Sequence, residues 1–256
     1  MAAPLGAVVS GLDVRAIDDE IWSKLDTLFT EHHVLVFPDQ DLSPADQIAF
    51  ASRWGSLVRH PYAGTKEHPE IIELRNTGRR RDVNQHWHSD MTYEVRPPKL
   101  TMLYALDVPE FGGDTAFANQ EIAYEGLSDG LRAMVDSLDA HHSAAGLAQL
   151  YREDPSQAPR ADHPLVRTHD QSGRRSLYLC RAFTEQFVGW TKEESRPLME
   201  QLFAHSVRPE YQARHSWSVG DLVMWDNRCL LHFAVHDHED DPRTIHRLQV
   251  EGERPT

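Results

Sequence analysis

The sequence Trp87-His88-Ser89-Asp90 places a histidine two residues before an aspartate. In an extended chain, residues i and i+2 point to the same face, so an imidazole nitrogen and a carboxylate oxygen would lie side by side. A tripeptide of this kind also arises by chance, and alone it indicates only a histidine near an aspartate. One further histidine would complete a site of two histidines and one carboxylate, which leaves open positions on Fe(II) for other ligands.

A candidate for the third ligand lies far along the chain, at His232. It is preceded by an apolar, strand-like run at residues 222–225 and by the polar sequence Asp226-Asn227-Arg228, which is typical of a turn. We therefore expect a strand and a turn to bring His232 to His88 and Asp90, with Asp226 and Arg228 holding the turn.

Five motifs, taken in order, resemble the TauD/TfdA family of Fe(II)/2-oxoglutarate dioxygenases, which includes taurine and chlorophenoxyacetate dioxygenases. The resemblance covers residues 4–252, and its motifs are Trp87-His88-Ser89-Asp90, Gly112-Gly113-Asp114-Thr115, His163-Pro164-Leu165-Val166-Arg167-Thr168-His169, Trp225-Asp226-Asn227-Arg228 through His232, and Arg243-x-x-x-Arg247. It implies a mainly β fold with flanking helices around a double-stranded β-helix, a jelly-roll core. It also implies one domain spanning residues 1–256.

The same resemblance assigns the metal and co-substrate residues. It implies that His88, Asp90 and His232 form the catalytic centre and bind Fe(II), with 2-oxoglutarate and O₂ as the other reactants. The far carboxylate of 2-oxoglutarate needs a cation, and Arg243 occupies the family position for that role, since guanidinium binds carboxylate in a bidentate manner. Thr115 occupies the position of a hydroxyl that adds a hydrogen bond to 2-oxoglutarate.

Four further residues match family positions on the substrate side. Arg247 matches the position that meets the anionic group of the substrate in the taurine enzyme, His60 and Asn84 match other substrate contacts, and Met91 matches a residue of the pocket wall. They imply a small anionic organic substrate, namely a sulfonate, a sulfate ester, an aryloxyalkanoate or another carboxylate. Ser143-Ala144-Ala145 stands where the taurine enzyme has an aromatic pocket residue, which predicts room for a larger substrate.

The implied reaction couples oxidative decarboxylation of 2-oxoglutarate, which releases succinate and CO₂, to hydroxylation of a substrate C–H bond. Two other classes of function use the same residues. A hydrolytic or isomerising metalloenzyme would leave Arg243 and Thr115 without a role, and an inactive jelly-roll binding protein would not need the complete set of ligands.

Composition excludes several other classes of protein. The chain has 256 residues, 26 Lys+Arg and 40 Asp+Glu, so the formal charge of −14 argues against a nucleic-acid partner and against an anionic membrane surface. No apolar run approaches the roughly 18 residues of a membrane helix. Two cysteines are too few for a disulfide scaffold and favour a reduced, cytoplasmic setting. A homo-oligomer of two or four subunits is expected only by resemblance.

Local patterns predict the elements that must position these residues. Apolar spacing indicates a helix over residues 17–31, and further helices should begin after Ser43 and after Thr191, where an acid three residues on is typical of a capped start. Short strand-like runs elsewhere, without regular β-α alternation, argue against a Rossmann or TIM fold. Residues 141–163 have little periodicity and predict a mobile loop or lid.

Two charged segments have no assigned role in this scheme. His236-Asp237-His238-Glu239-Asp240-Asp241 resembles a second metal cluster, but a solvated loop before Arg243 is the preferred interpretation. The basic run at residues 79–81 is interpreted as an exposed turn.

Overall fold

The computed structural model describes residues 5–60, 64–76, 86–238 and 241–256, and they form a mixed α/β structure with several sheets. The helices are α1 (Asp19–His32), α2 (Pro44–Ala51), α3 (Gln120–Glu125), α4 (Asp129–Val135), α5 (Ala145–Leu150) and α6 (Lys192–Ser206). The strands are β1 (Ala7–Val8), β2 (Val34–Phe37), β3 (Ile72–Asn76), β4 (Leu100–Asp107), β5 (Thr115–Asn119), β6 (Asp139–Ser143), β7 (Arg160–Pro164), β8 (Val166–Thr168), β9 (Arg175–Leu177), β10 (Thr184–Phe187), β11 (Gln212–His215), β12 (Leu222–Asp226), β13 (Leu230–Ala234) and β14 (Arg243–Val250).

The largest sheet has six strands in the order β1-β2-β12-β4-β14-β3. Two three-stranded sheets have the orders β11-β5-β13 and β10-β6-β7, and β8 pairs with β9 alone. A buried apolar cluster joins the six-stranded sheet to the sheet of β5 and β13, with Phe117 5.6 Å from Trp225 between ring centroids. These two sheets carry Thr115, His232, Arg243 and Arg247.

The predicted helix starts are confirmed by their hydrogen bonds. Ser43 and Asp46 form a reciprocal capping box at the start of α2, and Thr191 and Glu194 form another at the start of α6. In each box the hydroxyl accepts from a backbone N–H that the first helical turn would leave unpaired. The predicted helix over residues 17–31 is α1, capped at its start by Asp18.

The segment predicted to be a mobile loop or lid, residues 141–163, contains more regular structure than the sequence indicates. This segment contains the end of β6, all of α5 and most of β7, and β6 pairs with both β7 and β10. These elements have five or six residues each, too few to show a period, and pairing with distant strands stabilises them. None of the helices in the described ranges is long and apolar enough to cross a membrane.

Candidate active site

Two backbone hydrogen bonds bring the first and third predicted ligands together. The His88 N–H donates to the His232 carbonyl at 3.0 Å, and the His232 N–H donates to the His88 carbonyl at 2.7 Å. These two bonds form an isolated bridge between His88 and His232. Residues 88–90 do not form the extended segment that was expected, because Asp90 already belongs to a turn. The prediction that a strand would deliver His232 is confirmed, since His232 is the third residue of β13.

The three predicted ligand side chains converge on one point. Asp90 Oδ1 lies 3.8 Å from His88 Nε2 and 3.7 Å from His232 Nε2, and the two imidazole centroids are 4.0 Å apart. All three residues are buried, and their ligand atoms are close enough together to hold one metal ion. A hydrogen bond of 2.8 Å between His88 Nδ1 and the His86 carbonyl orients the ring so that Nε2 faces the other two ligands.

Asp90 is held by a residue that sequence reasoning missed. Thr101, on β4, donates its hydroxyl to Asp90 Oδ2 at 2.6 Å, which leaves Oδ1 facing the histidines. The Thr101 oxygen accepts hydrogen bonds from Asn227 Nδ2 at 2.8 Å and from Gln249 Nε2 at 3.2 Å. Asn227 belongs to the polar turn recognised in the sequence, so this turn also supports the Asp90 carboxylate through Thr101.

The electrostatics of the cluster favour an ionised Asp90 beside a neutral His232. Burial alone would raise the pKa of Asp90, but the charges of His232, Arg247 and His88 and the Thr101 hydrogen bond lower it to about 2. Burial lowers the pKa of His232 to about 3, and the charge of His88 adds to this effect. A deprotonated carboxylate and neutral imidazoles are the protonation states that bind a metal ion.

Among the described residues, two other buried groups have the composition of a metal site. One contains His33, Glu121 and Cys229, and the other contains His169, Asp226 and Cys229. In both, a guanidinium already pairs with the carboxylate. Arg174 Nε lies 3.1 Å from Glu121 Oε2, and Arg228 Nη2 lies 2.6 Å from Asp226 Oδ2. These two groups are therefore ion-pair networks.

The turn before His232 is held as the sequence predicts. Asp226 Oδ1 accepts hydrogen bonds from both the backbone N–H and the Nε of Arg228, and His169 Nε2 lies 2.9 Å from Asp226 Oδ2. This arrangement also gives a role to the last histidine of the third sequence motif.

Arg243 and Thr115, from different sheets, are connected through Trp217. The Arg243 guanidinium carbon lies 5.2 Å from the centroid of the Trp217 ring, and Trp217 Nε1 donates to Thr115 Oγ1 at 3.1 Å. Arg243 is only 5 % exposed, and its Nε and Nη2 have no hydrogen-bond partner in the described part of the chain. Burial lowers the pKa of Arg243 to about 10, and the charge of Asp114 opposes that shift. Trp217 was not identified from the sequence.

The glycine pair before Thr115 allows two loops to approach closely. Gly112 and Gly113 have φ of +77° and +69°, and a Cβ on Gly112 would lie 2.4 Å from Asp237 Oδ1. The Gly113 N–H donates to that same Asp237 oxygen at 2.8 Å. Glycine is needed here for both conformation and contact. The pair therefore keeps the loop that leads into β14 against the start of β5.

Three of the four predicted substrate residues lie in the described part, and Asn84 and the basic run at residues 79–81 lie outside it. Arg247 shares a face of β14 with Arg243, and its positive charge lowers the pKa values of Asp90 and His60. Burial is the larger cause of the shift at His60, and Asp90 opposes it. Met91 has φ of +49°, a rare conformation for a residue with a side chain, directly after the carboxylate ligand.

The small residues after β6 border a cavity of about 350 Å³. Its lining combines apolar and aromatic residues with carboxylates: Tyr93, Ala144, Leu147, Ala148 and Tyr151, and Glu94, Glu153 and Asp154. Tyr93 connects this cavity to the ligand cluster through Phe183, whose ring centroid is 5.0 Å from that of Tyr93 and 6.2 Å from that of His88.

Comparison with known proteins identifies the family. The family model described as "Taurine catabolism dioxygenase TauD, TfdA family" matches residues 1–249. This chain belongs to the TauD/TfdA family. The resemblance seen in the five motifs is thereby confirmed, and the protein is a 2-oxoglutarate-dependent dioxygenase.

The similarity to individual TauD/TfdA relatives extends over nearly the whole chain. An alkylsulfatase of Acinetobacter baylyi is 33 % identical over 98 % of this chain and 84 % of its own length. The (S)-phenoxypropionate/alpha-ketoglutarate-dioxygenase of Sphingobium herbicidovorans is 34 % identical over 98 % of this chain and 93 % of its own. The crystal structure of AAD-2 in complex with Mn(II) and N-oxalylglycine superposes with a TM-score of 0.85 and 30 % identity, covering 100 % of this chain and 97 % of that one.

Proposed function

We propose that His88, Asp90 and His232 bind Fe(II) and form the catalytic centre. The observation that carries this proposal is the convergence of three buried ligand atoms around Asp90 Oδ1, at 3.7 and 3.8 Å. Glu121 and Asp226, the carboxylates of the other two groups, each pair with an arginine, whereas no arginine or lysine in the described ranges forms an ion pair with Asp90. The donor set is the one that non-haem iron oxygenases use, and it leaves positions open for co-substrate and O₂.

Arg243 and Thr115 would bind 2-oxoglutarate at the end remote from the metal. Leaving a buried guanidinium without hydrogen-bond acceptors is costly, so the unpaired Nε and Nη2 of Arg243 favour a carboxylate ligand there. The Thr115 oxygen already accepts from Trp217, which leaves the hydroxyl hydrogen free to donate to the co-substrate.

Arg247 and His60 would bind the anionic group of the main substrate, with Met91 and Asn84 on the wall of the same pocket. The influence of Arg247 on the pKa values of both Asp90 and His60 supports this, because it requires all three groups to lie near one another. His60 Nε2 is buried without a hydrogen-bond partner in the described residues, so it is available to a ligand.

The cavity beside Tyr93 would receive the organic part of the substrate. Its volume of about 350 Å³ suits an aryl or short alkyl group. The substrate class that follows is a sulfonate, a sulfate ester, an aryloxyalkanoate or another carboxylate. The alkylsulfatase and the phenoxypropionate dioxygenase among the relatives support the second and third of these.

The protein would position the reactants and keep the site dry. When bound, Fe(II) supplies the activation of O₂ that couples 2-oxoglutarate breakdown to succinate and CO₂ with oxidation of the substrate. Arg247 and His60 would fix the substrate by its charged end, so that a C–H bond near that end faces the ligand cluster. If the hydroxylated carbon carries an ester, ether or sulfonate group, the product breaks at that bond.

The fold that supports this site would be a double-stranded β-helix. Face-to-face packing of the six-stranded sheet on the sheet of β5 and β13 supports this proposal. The similarity to the structure of AAD-2 along the entire chain supports it as well.

Comparing alanine variants of the two arginines is the decisive test of their roles. Arg247→Ala should abolish succinate release that is coupled to an anionic substrate and largely spare 2-oxoglutarate binding, whereas Arg243→Ala should weaken 2-oxoglutarate binding itself. Screening sulfonates, alkyl sulfates and aryloxyalkanoates for coupled succinate release would identify the substrate class. If both variants lost 2-oxoglutarate binding equally, the assignment of Arg247 to the substrate would be wrong.

A further inference from the structure

His238 is buried although the sequence predicts a solvated loop around it. His238 is 4 % exposed, and neither nitrogen of its ring has a hydrogen-bond partner among the residues that the structure describes. The solvated-loop prediction is therefore wrong at this residue. Buried polar groups in native proteins nearly always have a partner, so this imidazole points to a ligand.

His238 lies beside Arg243, the residue proposed to bind the far carboxylate of 2-oxoglutarate. The point where a Cβ on Gly113 would lie is 3.4 Å from His238 Nδ1 and 3.5 Å from Arg243 Cδ, so both side chains flank the same glycine. Gly113 lies two residues before Thr115 in the motif that leads into β5. The imidazole therefore lies on the side of this loop where Arg243 is proposed to bind 2-oxoglutarate.

The charge state of His238 suits a donor to an anion. Burial lowers its pKa, the charge of Arg243 lowers it further, and the carboxylates of Asp237 and Asp241 oppose these effects. A neutral imidazole carries one N–H, which it can donate. A carboxylate has about four acceptor sites, so two guanidinium hydrogen bonds leave room for a third donor.

We propose that His238 binds 2-oxoglutarate by donating a hydrogen bond to the carboxylate that Arg243 holds. This inference rests on the proposed role of Arg243. A hydrogen bond to a charged group typically changes affinity by about 10- to 100-fold.

A double comparison of ligand and variant tests this role. Isothermal titration of the Mn(II)-loaded protein is made with 2-oxoglutarate and with 2-oxopentanoate, which has the same chain length and lacks the far carboxylate. His238→Phe should weaken 2-oxoglutarate binding about 10- to 100-fold and leave 2-oxopentanoate binding unchanged. His238→Asn keeps an N–H donor and should recover part of the loss. His205→Phe, which removes a histidine bonded to the Ala123 carbonyl, is the matched control and should change neither affinity.

Each contrary result has a distinct meaning. Equal weakening of both ligands by His238→Phe would show a packing role, and unchanged binding of both would show no contact, so either overturns the inference. If His238→Phe does not fold, the comparison is made with His238→Asn, for which a loss equal for both ligands is again the refuting outcome. If Arg243→Gln did not reduce the preference of the wild type for 2-oxoglutarate over 2-oxopentanoate, the proposed role of Arg243 would itself be wrong.

Discussion

Replacing Thr101 by valine removes one hydroxyl and changes almost nothing in side-chain volume. That hydroxyl donates to Asp90 at 2.6 Å and accepts from Asn227 at 2.8 Å and Gln249 at 3.2 Å. Thr101 is 0 % exposed, so water is not available to replace these hydrogen bonds. The substitution therefore isolates the contribution of one buried oxygen to the metal site and to the fold.

The expected cost follows from the three hydrogen bonds. A bond to a charged group contributes about 2 kcal/mol, and each of the two amide bonds contributes about 1 kcal/mol. The unfolding free energy of the metal-free protein should therefore fall by about 4 kcal/mol. Loss of a hydrogen bond to a metal-ligating carboxylate should also weaken divalent metal binding about 10- to 100-fold.

Two assays separate these effects. Urea unfolding of the metal-free protein gives the stability, and isothermal titration with Mn(II) under native conditions gives the metal affinity. Thr101→Ser retains the hydroxyl and should restore most of the metal affinity. Thr27→Val removes an exposed hydroxyl bonded to the Ser23 carbonyl and should change neither quantity. Wild-type Mn(II) affinity in Thr101→Val would refute the claim that Thr101 orients Asp90.

Three further predictions follow from single contacts. Gly113→Ala and Gly173→Ala both place a side chain at φ near +70° and should each lower the unfolding free energy by about 1 kcal/mol. A Cβ on Gly113 would contact His238 and Arg243, whereas a Cβ on Gly173 would contact no described residue, so only Gly113→Ala should weaken 2-oxoglutarate binding in a titration. Asp226→Asn removes the buried one of the two carboxylates that pair with Arg228 and leaves only the more exposed Asp170, so it should lower the urea unfolding free energy by about 3 kcal/mol, while the Mn(II) stoichiometry in a titration stays at that of the wild type. Burial, reinforced by two neighbouring histidine charges, lowers the pKa of His142 from 6.5 to about 3. The contribution of neutral His142 to the unfolding free energy is therefore complete above pH 6.5 and declines by about 1.4 kcal/mol per pH unit below it. The fall in unfolding free energy between pH 7 and pH 5 should be about 2 kcal/mol smaller in His142→Gln than in the wild type, and an equal fall in both would contradict this.

Local sequence patterns predict three of the helices in the described ranges, namely α1, α2 and α6. Ser43 and Thr191 each act on backbone groups within three residues, so the information that starts α2 and α6 is contained in the sequence nearby. Residues 141–163 show the opposite case. There β6 is stabilised by pairing with β7 and β10, which no local pattern reveals.

The candidate site divides in a similar way. His88, Asp90 and His232 could be proposed from the sequence because metal ligands have restricted residue types and a recognisable order, and the structure brings their side chains together. Thr101 was missed because no local pattern shows that this residue of β4 turns its hydroxyl toward Asp90. Its opposite residues in the sheet, Trp225 on β12 and Gln249 on β14, come from far along the chain. His238 was misjudged because a charged sequence usually indicates exposure, whereas the loop at Gly113 covers this one.

Anaerobic titration of the Fe(II)-loaded protein with 2-oxoglutarate, followed by visible absorption, tests the central claim most directly. A 2-oxo acid chelated to Fe(II) gives a weak charge-transfer band. The wild type should develop this band at saturation, Arg243→Gln should need a higher 2-oxoglutarate concentration to reach it, and Asp90→Ala should show no band. Absence of the band in the wild type, together with unchanged metal binding in Asp90→Ala, would contradict the proposed site.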